Sequence, residues 1–347
     1  MIAYQLSARV LPEEKWPALS ASFRDLTLEH SLTYARAAAR RIGADVQFLM
    51  LTTPDGQPVA AACLRIKHVP GLRRGIAWLA AGPLVQHVDR PDPDAATLRA
   101  VLAALRTYAQ ESGHILRLRF PATPWHDVAL LDQLARSEAF LPTDRSPTYR
   151  TVVVDCTQDE DTLMRALHGK WRNPLRNALK AGLDLDIVPI AQAADRFHPM
   201  YTEVQTAKGF RPDIPPEFYY GLEGADFAHE VLFARKDGAD IAAMTLGRAG
   251  SNAVYLFGAT LDTGRRLNAG HYLMWHSMLR CRDLGLKYFD LGGIDPEANP
   301  SVTRYKLRTG GTELRAAGPY EFRPAGASSA LISIAETIHA RLKKLRS

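Results

Sequence analysis

Two short stretches of this sequence, DGQPVAAACL at residues 55–64 and DGADIAAMTL at residues 237–246, follow the same pattern. Each begins with Asp-Gly, passes through a β-branched residue (Val59 or Ile241) into two alanines, and ends on leucine. Asp-Gly between apolar runs is typical of a tight β-hairpin, since the turn needs a positive φ angle. The pattern therefore predicts two hairpins and indicates an internal duplication.

The segments that follow each hairpin recur in the same order. In the second half, NAVYLFGAT (252–260) predicts a strand because its apolar and aromatic residues alternate. Residues 268–285 then predict a helix with Asn268 as N-cap and Gly285 at its end, and residues 286–293 predict another strand. The first half repeats this order of strand, helix and strand at 75–85, 94–113 and 114–120. A helix is also predicted before each hairpin, over 13–41 and 191–208.

An antiparallel hairpin followed by a strand–helix–strand crossover gives a mixed, twisted sheet. This order of elements is that of the GNAT acyltransferase fold. The predicted fold class is therefore α/β (α+β mixed sheet), with tandem duplicated GNAT-like acyltransferase domains. We predict a first domain over 1–150, a second over 151–325 that includes a basic linker helix over 160–182, and a basic amphipathic helix over 326–347.

The composition indicates a globular protein with a mild excess of positive charge. The 347 residues are 46% hydrophobic, and the net charge of +6 favours anionic partners such as nucleic acid, phosphorylated ligands or a lipid surface. The three cysteines lack metal-ligand spacing, so we expect neither a disulfide framework nor a metal site. There is no secretory signal pattern and no apolar run of about 18 residues, so we expect a cytoplasmic protein.

Three segments resemble the FemABX family: 148–187 with HGKWRNPLRNALKAG, 206–222 with TAKGFRPDIPPEFYYGL, and 255–311 with YFDLGG and RYKLRTGG. Members of this family carry two GNAT-like domains in one chain, in agreement with the duplication. The resemblance implies transfer of an amino acid from aminoacyl-tRNA to an amine of a peptidoglycan precursor, while a related branch consists of acyl-CoA-type N-acyltransferases. No tightly bound cofactor is implied, since aminoacyl-tRNA or acyl-CoA would act as a cosubstrate.

Two residues near the end of this resemblance are the catalytic candidates. The family's terminal signature, an aromatic residue and a lysine shortly before a Gly-rich turn, is matched by Tyr305-Lys306 before Gly310-Gly311. The resemblance implies that Lys306 reaches the reaction centre and stabilises the developing oxyanion; the alternative is a surface lysine on a basic loop. Asp290 ends a predicted strand, where it could hold the incoming ammonium, accept its proton through water, or cap the following turn.

Four residues are candidates for substrate binding. By resemblance, Arg211 matches a family arginine that contacts the diphosphate of a nucleotide-linked acceptor, and a guanidinium suits phosphate because its planar fork gives paired hydrogen bonds. Tyr255 lies on the strand beside the acceptor channel of this fold, although core packing explains it as well. Tyr219 either packs in the core or lines the cleft, and Tyr305 belongs to the terminal signature.

Basic residues indicate where tRNA or a phosphate group would bind. The segment KWRNPLRNALKAG (170–182) has four cations and no acid, on a helix that Asn173 and Pro174 are predicted to start. Such a face either holds RNA backbone or is simply solvated. RRLNAG (265–270) lies where acyl-CoA enzymes have a Gly-rich pyrophosphate loop, but Asn268 replaces its first glycine, which favours aminoacyl-tRNA as donor. The contact candidates are Lys170, Arg172, Arg176, Lys180 and Arg265.

Three functions are compatible with the sequence. The first is a FemABX-type N-acyltransferase that moves an aminoacyl group, from aminoacyl-tRNA, to an amine of a peptide, nucleotide-linked or cell-envelope precursor. The second uses acyl-CoA as donor, and the third is a non-catalytic GNAT-like protein that binds RNA or membrane. No pattern indicates an oligomeric state.

The tail carries an apolar stripe at helical spacing. We predict that this helix docks on the body of the protein, with peripheral contact to an anionic membrane as the alternative. The stripe consists of Leu331, Ile334, Ile338, Leu342 and Leu345.

Overall fold

The computed structural model describes residues 5–209 and 212–346, and the chain forms two compact units. Residues 1–149 and 315–347 belong to the first unit, and residues 150–314 form the second. Within the described residues each unit contains one 7-stranded mixed sheet, which confirms the predicted fold class. In the last helix, side chains are described for residues 329–338.

The first unit takes elements from both ends of the chain, numbered here in chain order. Its strands are β1 (Ser7–Leu11), β2 (Asp45–Thr52), β3 (Pro58–His68), β4 (Gly75–Leu79), β5 (Ile115–Leu118), β6 (Leu141–Pro142) and β14 (Tyr320–Phe322). Its helices are α1 (Trp16–Ser20), α2 (Leu32–Ile42), α3 (Ala95–Ser112), α4 (Val128–Ser137) and α12 (Ala327–Arg346), with 3-10 turns at Glu13–Lys15 and Leu28–His30. The sheet order is β1-β2-β3-β4-β5-β14-β6.

The second unit is one continuous stretch of chain. Its strands are β7 (Arg150–Asp155), β8 (Asp184–Pro189), β9 (Ala228–Lys236), β10 (Ala239–Ala249), β11 (Asn252–Thr260), β12 (Tyr288–Gly293) and β13 (Thr312–Arg315). Its helices are α5 (Glu160–Ala166), α6 (Gly169–Leu179), α7 (Ile190–Lys208), α8 (Glu217–Tyr220), α9 (Asp262–Arg266), α10 (Ala269–Asp283) and α11 (Pro300–Leu307). The sheet order is β13-β7-β12-β11-β10-β9-β8.

The same succession of hairpin, strand, helix and strand occurs in both units. The hairpins β2–β3 and β9–β10 pair antiparallel, and their turns contain Gly56 and Gly238 at φ of 87° and 82°. The helices α3 and α10 then cross over to give the parallel pairs β4–β5 and β11–β12. As predicted, α10 follows Asn268 as N-cap and ends shortly before Gly285. The repeated sequence pattern therefore corresponds to a repeated structural unit.

Each sheet packs an apolar face against its crossover helix. In the first unit, Leu64 and Leu116 from the strands are fully buried with Leu102 of α3. In the second unit, Leu246 and Phe289 pack in one cluster with Trp275 of α10. Burial of this apolar area is the main stabilising contribution in each unit.

The structure corrects the predicted boundary at residue 325. Tyr320 of β14 pairs with Leu118 of β5 on one side and with Pro142 of β6 on the other, and its side chain is buried. Arg117 also donates a 2.6 Å hydrogen bond to Glu321. Residues 320–322 therefore complete the first sheet, and residues 316–325 do not belong to the second unit. Local sequence pattern could not reveal this, because the pairing joins residues about 200 positions apart.

The predicted basic linker helix over 160–182 is also corrected. It consists of two helices, α5 and α6, and both lie inside the second unit. The helix α6 begins at Gly169 with His168 as N-cap, so the predicted start at Asn173-Pro174 is wrong. Pro174 lies inside α6 and removes one backbone hydrogen bond, a loss that the helix tolerates because Trp171 and Leu175 anchor it in the core.

An ion-pair network attaches α12 to the first unit. Glu336 accepts hydrogen bonds from Arg117 at 2.7 Å and from Arg145 at 2.6 Å, and the Arg117 side chain is only 6% exposed. We predict that Glu336→Gln lowers the free energy of unfolding by about 1–2 kcal/mol in chemical denaturation, because two charged hydrogen bonds weaken. Glu111→Gln, at an exposed residue with no ion pair in the described structure, is the matched control.

The same ion pairs give the stability a defined pH dependence. Burial alone would raise the pKa of Glu336, but hydrogen bonds from Arg117 lower it overall from its ordinary value of 4.5. The stabilisation is therefore present above pH 4.5 and is lost as the pH falls through the folded-state pKa. Equal stability of Glu336→Gln and the parent at pH 7 would contradict this assignment.

Candidate active site

The second sheet opens between β11 and β12. These parallel strands pair only at Asn252↔Tyr288, Ala253↔Phe289 and Val254↔Asp290. Beyond these pairs β11 continues to Thr260 and β12 to Gly293, with no further pairing between them among the described residues. The opening exposes backbone groups that a continuous sheet would use for its own hydrogen bonds.

The corresponding place in the first sheet is closed by backbone hydrogen bonds. After the paired strands β4 and β5, the Arg119 N–H donates to the Leu79 carbonyl at 3.1 Å, and the Gly82 N–H donates to the Arg119 carbonyl at 3.0 Å. A substrate could enter there only by breaking these bonds. The opening in the second sheet is therefore the better candidate for a reaction site.

Lys306 of α11 lies at this opening and is only 6% exposed. Its Nζ donates to the carbonyls of Gly292 at 3.2 Å and Gly293 at 3.0 Å, and lies 5.4 Å from the centre of the Tyr255 ring. Gly292 has a φ of 76°, and a Cβ there would lie 2.9 Å from the Tyr255 carbonyl oxygen, so the approach requires glycine. The alternative of a solvated lysine on a surface loop is wrong.

The buried position changes the acidity of Lys306. Burial lowers its pKa to about 8, and the charge of Asp290 opposes part of this shift. The side chain is therefore mostly protonated at pH 7 and loses its proton as the pH rises through about 8. Two of its three N–H groups are used by the glycine carbonyls, and no acceptor among the described residues takes the third. Such a group can donate to a substrate oxygen.

Asp290 is fixed by the turn that follows β12. Its Oδ1 accepts a 2.8 Å hydrogen bond from the Gly292 N–H and a second one from the Thr151 hydroxyl. The Thr151 Oγ1 also lies 2.9 Å from the Gly292 carbonyl oxygen. Asp290 thus caps the turn that brings the Gly292 carbonyl to Lys306, and its negative charge acts on that lysine.

Thr151 offers a test of this arrangement. Thr151→Val keeps the shape of a fully buried side chain but removes the hydroxyl that Asp290 accepts from. We expect the free energy of unfolding to fall by about 1–3 kcal/mol, and the turnover rate of the transfer reaction to fall with it, because Asp290 is left with one fewer donor. Thr151→Ser retains the hydroxyl and should restore both quantities. A Val variant with unchanged stability and turnover would show that this hydrogen bond does not matter.

Tyr255 and Tyr219 have different surroundings. Tyr255 is half-buried beside Lys306, and burial raises its pKa to about 12, so its phenol stays neutral. Tyr219 is 4% exposed and contacts Phe257 and His229 edge-on. The structure thus places Tyr219 in an aromatic core cluster, and only Tyr255 at the opening of the sheet.

Tyr305 connects α11 to the start of α10. Its hydroxyl donates to the Gly270 carbonyl at 2.9 Å. Its ring packs 5.7 Å from that of Trp171 and 5.1 Å from that of His271. Burial lowers the pKa of His271 to about 4, so this imidazole is neutral at neutral pH. The three aromatic rings form one wall of a neighbouring pocket.

The pocket beside Tyr305 has a volume of about 270 Å³ and is basic. Lys170, Arg304 and Arg308 line it, and no carboxylate in the described part of the chain pairs with them. Trp171 is 1% exposed, and its indole N–H has no hydrogen-bond partner among the described residues. Three unpaired cations around aromatic rings and a free N–H donor are suited to an anionic group attached to a planar ring.

Of the five predicted phosphate contacts, only Lys170 lines this pocket. The guanidinium of Arg172 donates instead to the carbonyls of Arg165 at 3.1 Å and Leu167 at 2.7 Å, at the end of α5. Its role is therefore to cap a helix end.

The other predicted contacts lie elsewhere. Arg265 pairs with Asp262 and donates to the Thr260 carbonyl at 2.6 Å. Arg176 and Lys180 are exposed, the first in α6 and the second at its C-cap. Arg211 lies outside the described residues.

The structure also adds residues that the sequence did not single out as site residues. Arg304 lies on α11 and Arg308 is its C-cap, four residues further on. That spacing in the sequence could have predicted two cations on one helix face. Thr151 gave no signal, because its hydrogen bond to Asp290 joins residues 139 positions apart.

Comparison with known proteins shows similarities in sequence and in fold. Residues 165–307 match the family described as Acetyltransferase (GNAT) domain. A solved structure of FemX resembles 94% of this chain and 99% of its own, with a TM-score of 0.76 and 14% sequence identity. The chain is also 26% identical over 105 residues to Lipid II:glycine glycyltransferase of Staphylococcus haemolyticus. The chain is therefore similar to FemABX-type GNAT proteins in its fold and in part of its sequence.

The extent of these matches differs. The match to the staphylococcal glycyltransferase spans 30% of this chain and 25% of that protein. A tandem GNAT protein from the clavulanic acid biosynthesis pathway covers 93% of this chain at 14% identity, with a TM-score of 0.51, and this chain covers 100% of it. The structural similarities, at such low identity, establish the fold, and they confirm the prediction of two GNAT-like lobes.

Proposed function

We propose that this FemABX-like chain is an N-acyltransferase that moves an aminoacyl group from aminoacyl-tRNA to an amine of a peptide, nucleotide-linked or cell-envelope precursor. The observation that carries the proposal is the buried ammonium of Lys306 at the open end of the second sheet, with one N–H left for a substrate oxygen. An N–H in this position suits acyl transfer, because that reaction passes through an oxyanion that the N–H can stabilise.

The proposed reaction uses Lys306 as the electrophilic group. The neutral amine attacks the ester carbonyl carbon, a C–N bond forms, and the carbonyl oxygen becomes an oxyanion that accepts the third N–H of Lys306. The intermediate then collapses: the C–O bond to the donor ribose breaks, and the excess proton on nitrogen passes to the departing ribose oxygen. Asp290 acts as a positioning residue by holding the turn whose carbonyls orient Lys306.

The basic pocket supports a donor with several phosphates. Its three cations would neutralise phosphodiester groups, and the rings of Trp171, His271 and Tyr305 offer stacking surfaces for an unpaired base. Tyr305 lines this pocket, and its neighbour Lys306 reaches the opening of the sheet, so one helix turn connects the two sites. The 3′ end of a tRNA has both required features, and an aminoacyl-tRNA donor would place the reaction in the cytoplasm.

Acyl-CoA is the second candidate donor. The helix α10 begins after Asn268 in the left-handed conformation, at φ of 57°, and no side chain caps its first N–H groups. A pyrophosphate at this helix start would be stabilised by those N–H groups and by the helix dipole. This feature supports a CoA donor, although the first glycine of the usual loop is missing.

Mass spectrometry of reaction products distinguishes these candidates. The full chain is incubated with a pool of amine acceptors, including nucleotide-linked muropeptides, and either charged tRNA or mixed acyl-CoA. We expect acceptor masses increased by an aminoacyl residue with charged tRNA only. Acylated products with acyl-CoA alone would overturn the donor assignment, and binding of RNA without any product would favour the non-catalytic function.

A further inference from the structure

The helix α12 has two faces with different surroundings. One face packs on the first unit: Ile332 is fully buried, Ser329 is 8% exposed, and Glu336 forms the ion pairs with Arg117 and Arg145. These three positions are spaced i, i+3 and i+7, as expected for one side of a helix. This face accounts for the attachment of α12.

The apolar stripe predicted from the sequence lies on the opposite side of α12. Leu331, Ile334 and Ile338 are 51%, 57% and 54% exposed, so the helix docks on the first unit through its other face and not through these residues of the stripe. Since successive helical residues are rotated by about 100°, these three side chains point roughly opposite to Ile332 and Glu336. The sequence continues the same spacing with Leu342 and Leu345. Their side chains lie outside the described ones, and the three exposed residues Leu331, Ile334 and Ile338 take little part in folding.

Positive charge is concentrated at the end of this stripe. The sequence after Glu336 contains Arg341, Lys343, Lys344 and Arg346 and no acidic residue. On a helical projection, positions 341 and 346 border the apolar stripe on its two sides. Apolar side chains flanked by cations are the pattern of a helix that lies in the interface of an anionic bilayer. No helix in the described residues is both long and apolar enough to cross a membrane.

We propose that α12 binds the surface of an anionic lipid bilayer through Leu331, Ile334 and Ile338, with Arg341 and Arg346, which border the stripe, adding attraction to the headgroups. A second copy of this chain fits less well, because two such helices would bring their basic ends together or leave one of them without acidic partners. The proposal concerns where the protein is held and stands independently of the transfer reaction.

The test measures co-sedimentation of the full chain with vesicles. With phosphatidylcholine containing about 30% phosphatidylglycerol we expect clear binding, and with phosphatidylcholine alone little binding. The triple variant Leu331→Ser/Ile334→Ser/Ile338→Ser should lower the partition coefficient on the order of 100-fold. Arg341→Gln/Arg346→Gln should lower it by about fivefold per arginine at low salt.

Val10→Ser is the matched control, since Val10 is 58% exposed on β1 of the same unit and lies outside the stripe. It should bind vesicles like the parent chain, and circular dichroism should show that all variants are folded. Absence of vesicle binding by the parent, or equal binding by the triple variant, would overturn the proposal. A concentration-dependent dimer that the triple variant abolishes, without vesicle binding, would assign the stripe to a second copy instead.

Discussion

Replacing Lys306 with methionine is expected to lower kcat for the acyl transfer by about 100- to 1000-fold, the usual effect of removing one oxyanion donor. Methionine keeps an unbranched apolar stem in the buried position but removes the charge and the N–H groups. The loss should fall on kcat with little change in KM for the acceptor, because the donated hydrogen bond strengthens only as the oxyanion forms. Steady-state kinetics with the donor identified by product mass measures both constants.

One further variant and one stability measurement make this result specific. Lys180→Met removes an exposed lysine of the same unit that does not line the pocket, and it should leave kcat unchanged. Thermal unfolding of Lys306→Met distinguishes a missing catalytic group from a damaged structure, since the variant leaves the Gly292 and Gly293 carbonyls without their donor. A folded Lys306→Met with normal turnover would refute the proposed role of the ammonium.

The acidity of Lys306 predicts the basic limb of the pH profile. Only the protonated side chain donates to an oxyanion, so kcat should decline as the pH rises through about 8. In Lys306→Arg the cation persists to far higher pH, so any residual activity should lose this decline. If kcat of the wild-type chain stays constant up to pH 10, catalysis does not depend on the protonation of Lys306.

Removing the pocket cations is expected to act on donor binding. Arg304→Gln/Arg308→Gln should raise KM for the phosphate-bearing donor on the order of 10- to 100-fold, because each guanidinium gives a charged hydrogen bond to phosphate. With a tRNA donor, the slope of log affinity against log salt should also become shallower by about 0.7 for each phosphate that is no longer neutralised. Filter binding across a salt series and initial-rate kinetics measure the two effects.

Two exposed cations, one on α6 and one at its C-cap, provide the matched control for this experiment. Arg176→Gln/Lys180→Gln removes the same two positive charges from exposed positions outside the pocket. If the pocket binds the donor, the control should retain affinity within about twofold, since only the general attraction of the surface is reduced. Equal effects of both double variants would indicate a diffuse surface attraction and would contradict a phosphate site at Arg304 and Arg308.

The sequence predicted turns and helix ends well where the pattern that determines them spans only a few residues. The Asp-Gly turns at Gly56 and Gly238, the N-cap at Asn268 and the stop near Gly285 depend on backbone conformations within a few residues. The return of β14 into the first sheet depends on pairing between distant segments, which local patterns do not encode. The start of α6 was predicted wrongly at Pro174 for a related reason, since core packing of this helix outweighs one missing backbone hydrogen bond.

The candidate site was predicted in part. The resemblance singled out Lys306, and the end of a predicted strand singled out Asp290; the structure brings both to one turn, with Tyr255 beside the lysine. The charge pattern was less informative: of five basic candidates only Lys170 lines the pocket, because a charge run does not specify which side chains are already paired with carbonyls or carboxylates. Arg304 and Arg308 line the pocket because α11 packs beside Trp171 of α6, and the sequence does not encode that neighbour locally.

The return of β14 to the first sheet also sets an order for folding during synthesis. The second unit is continuous from residue 150 to 314, so all of its strands are synthesised before residues 320–322 and emerge from the ribosome ahead of them. The first unit begins earlier but can close its sheet only after those last residues emerge. Until then the edge of β5 stays unpaired and can pair with a wrong strand. By that point every strand of the second unit has already been synthesised.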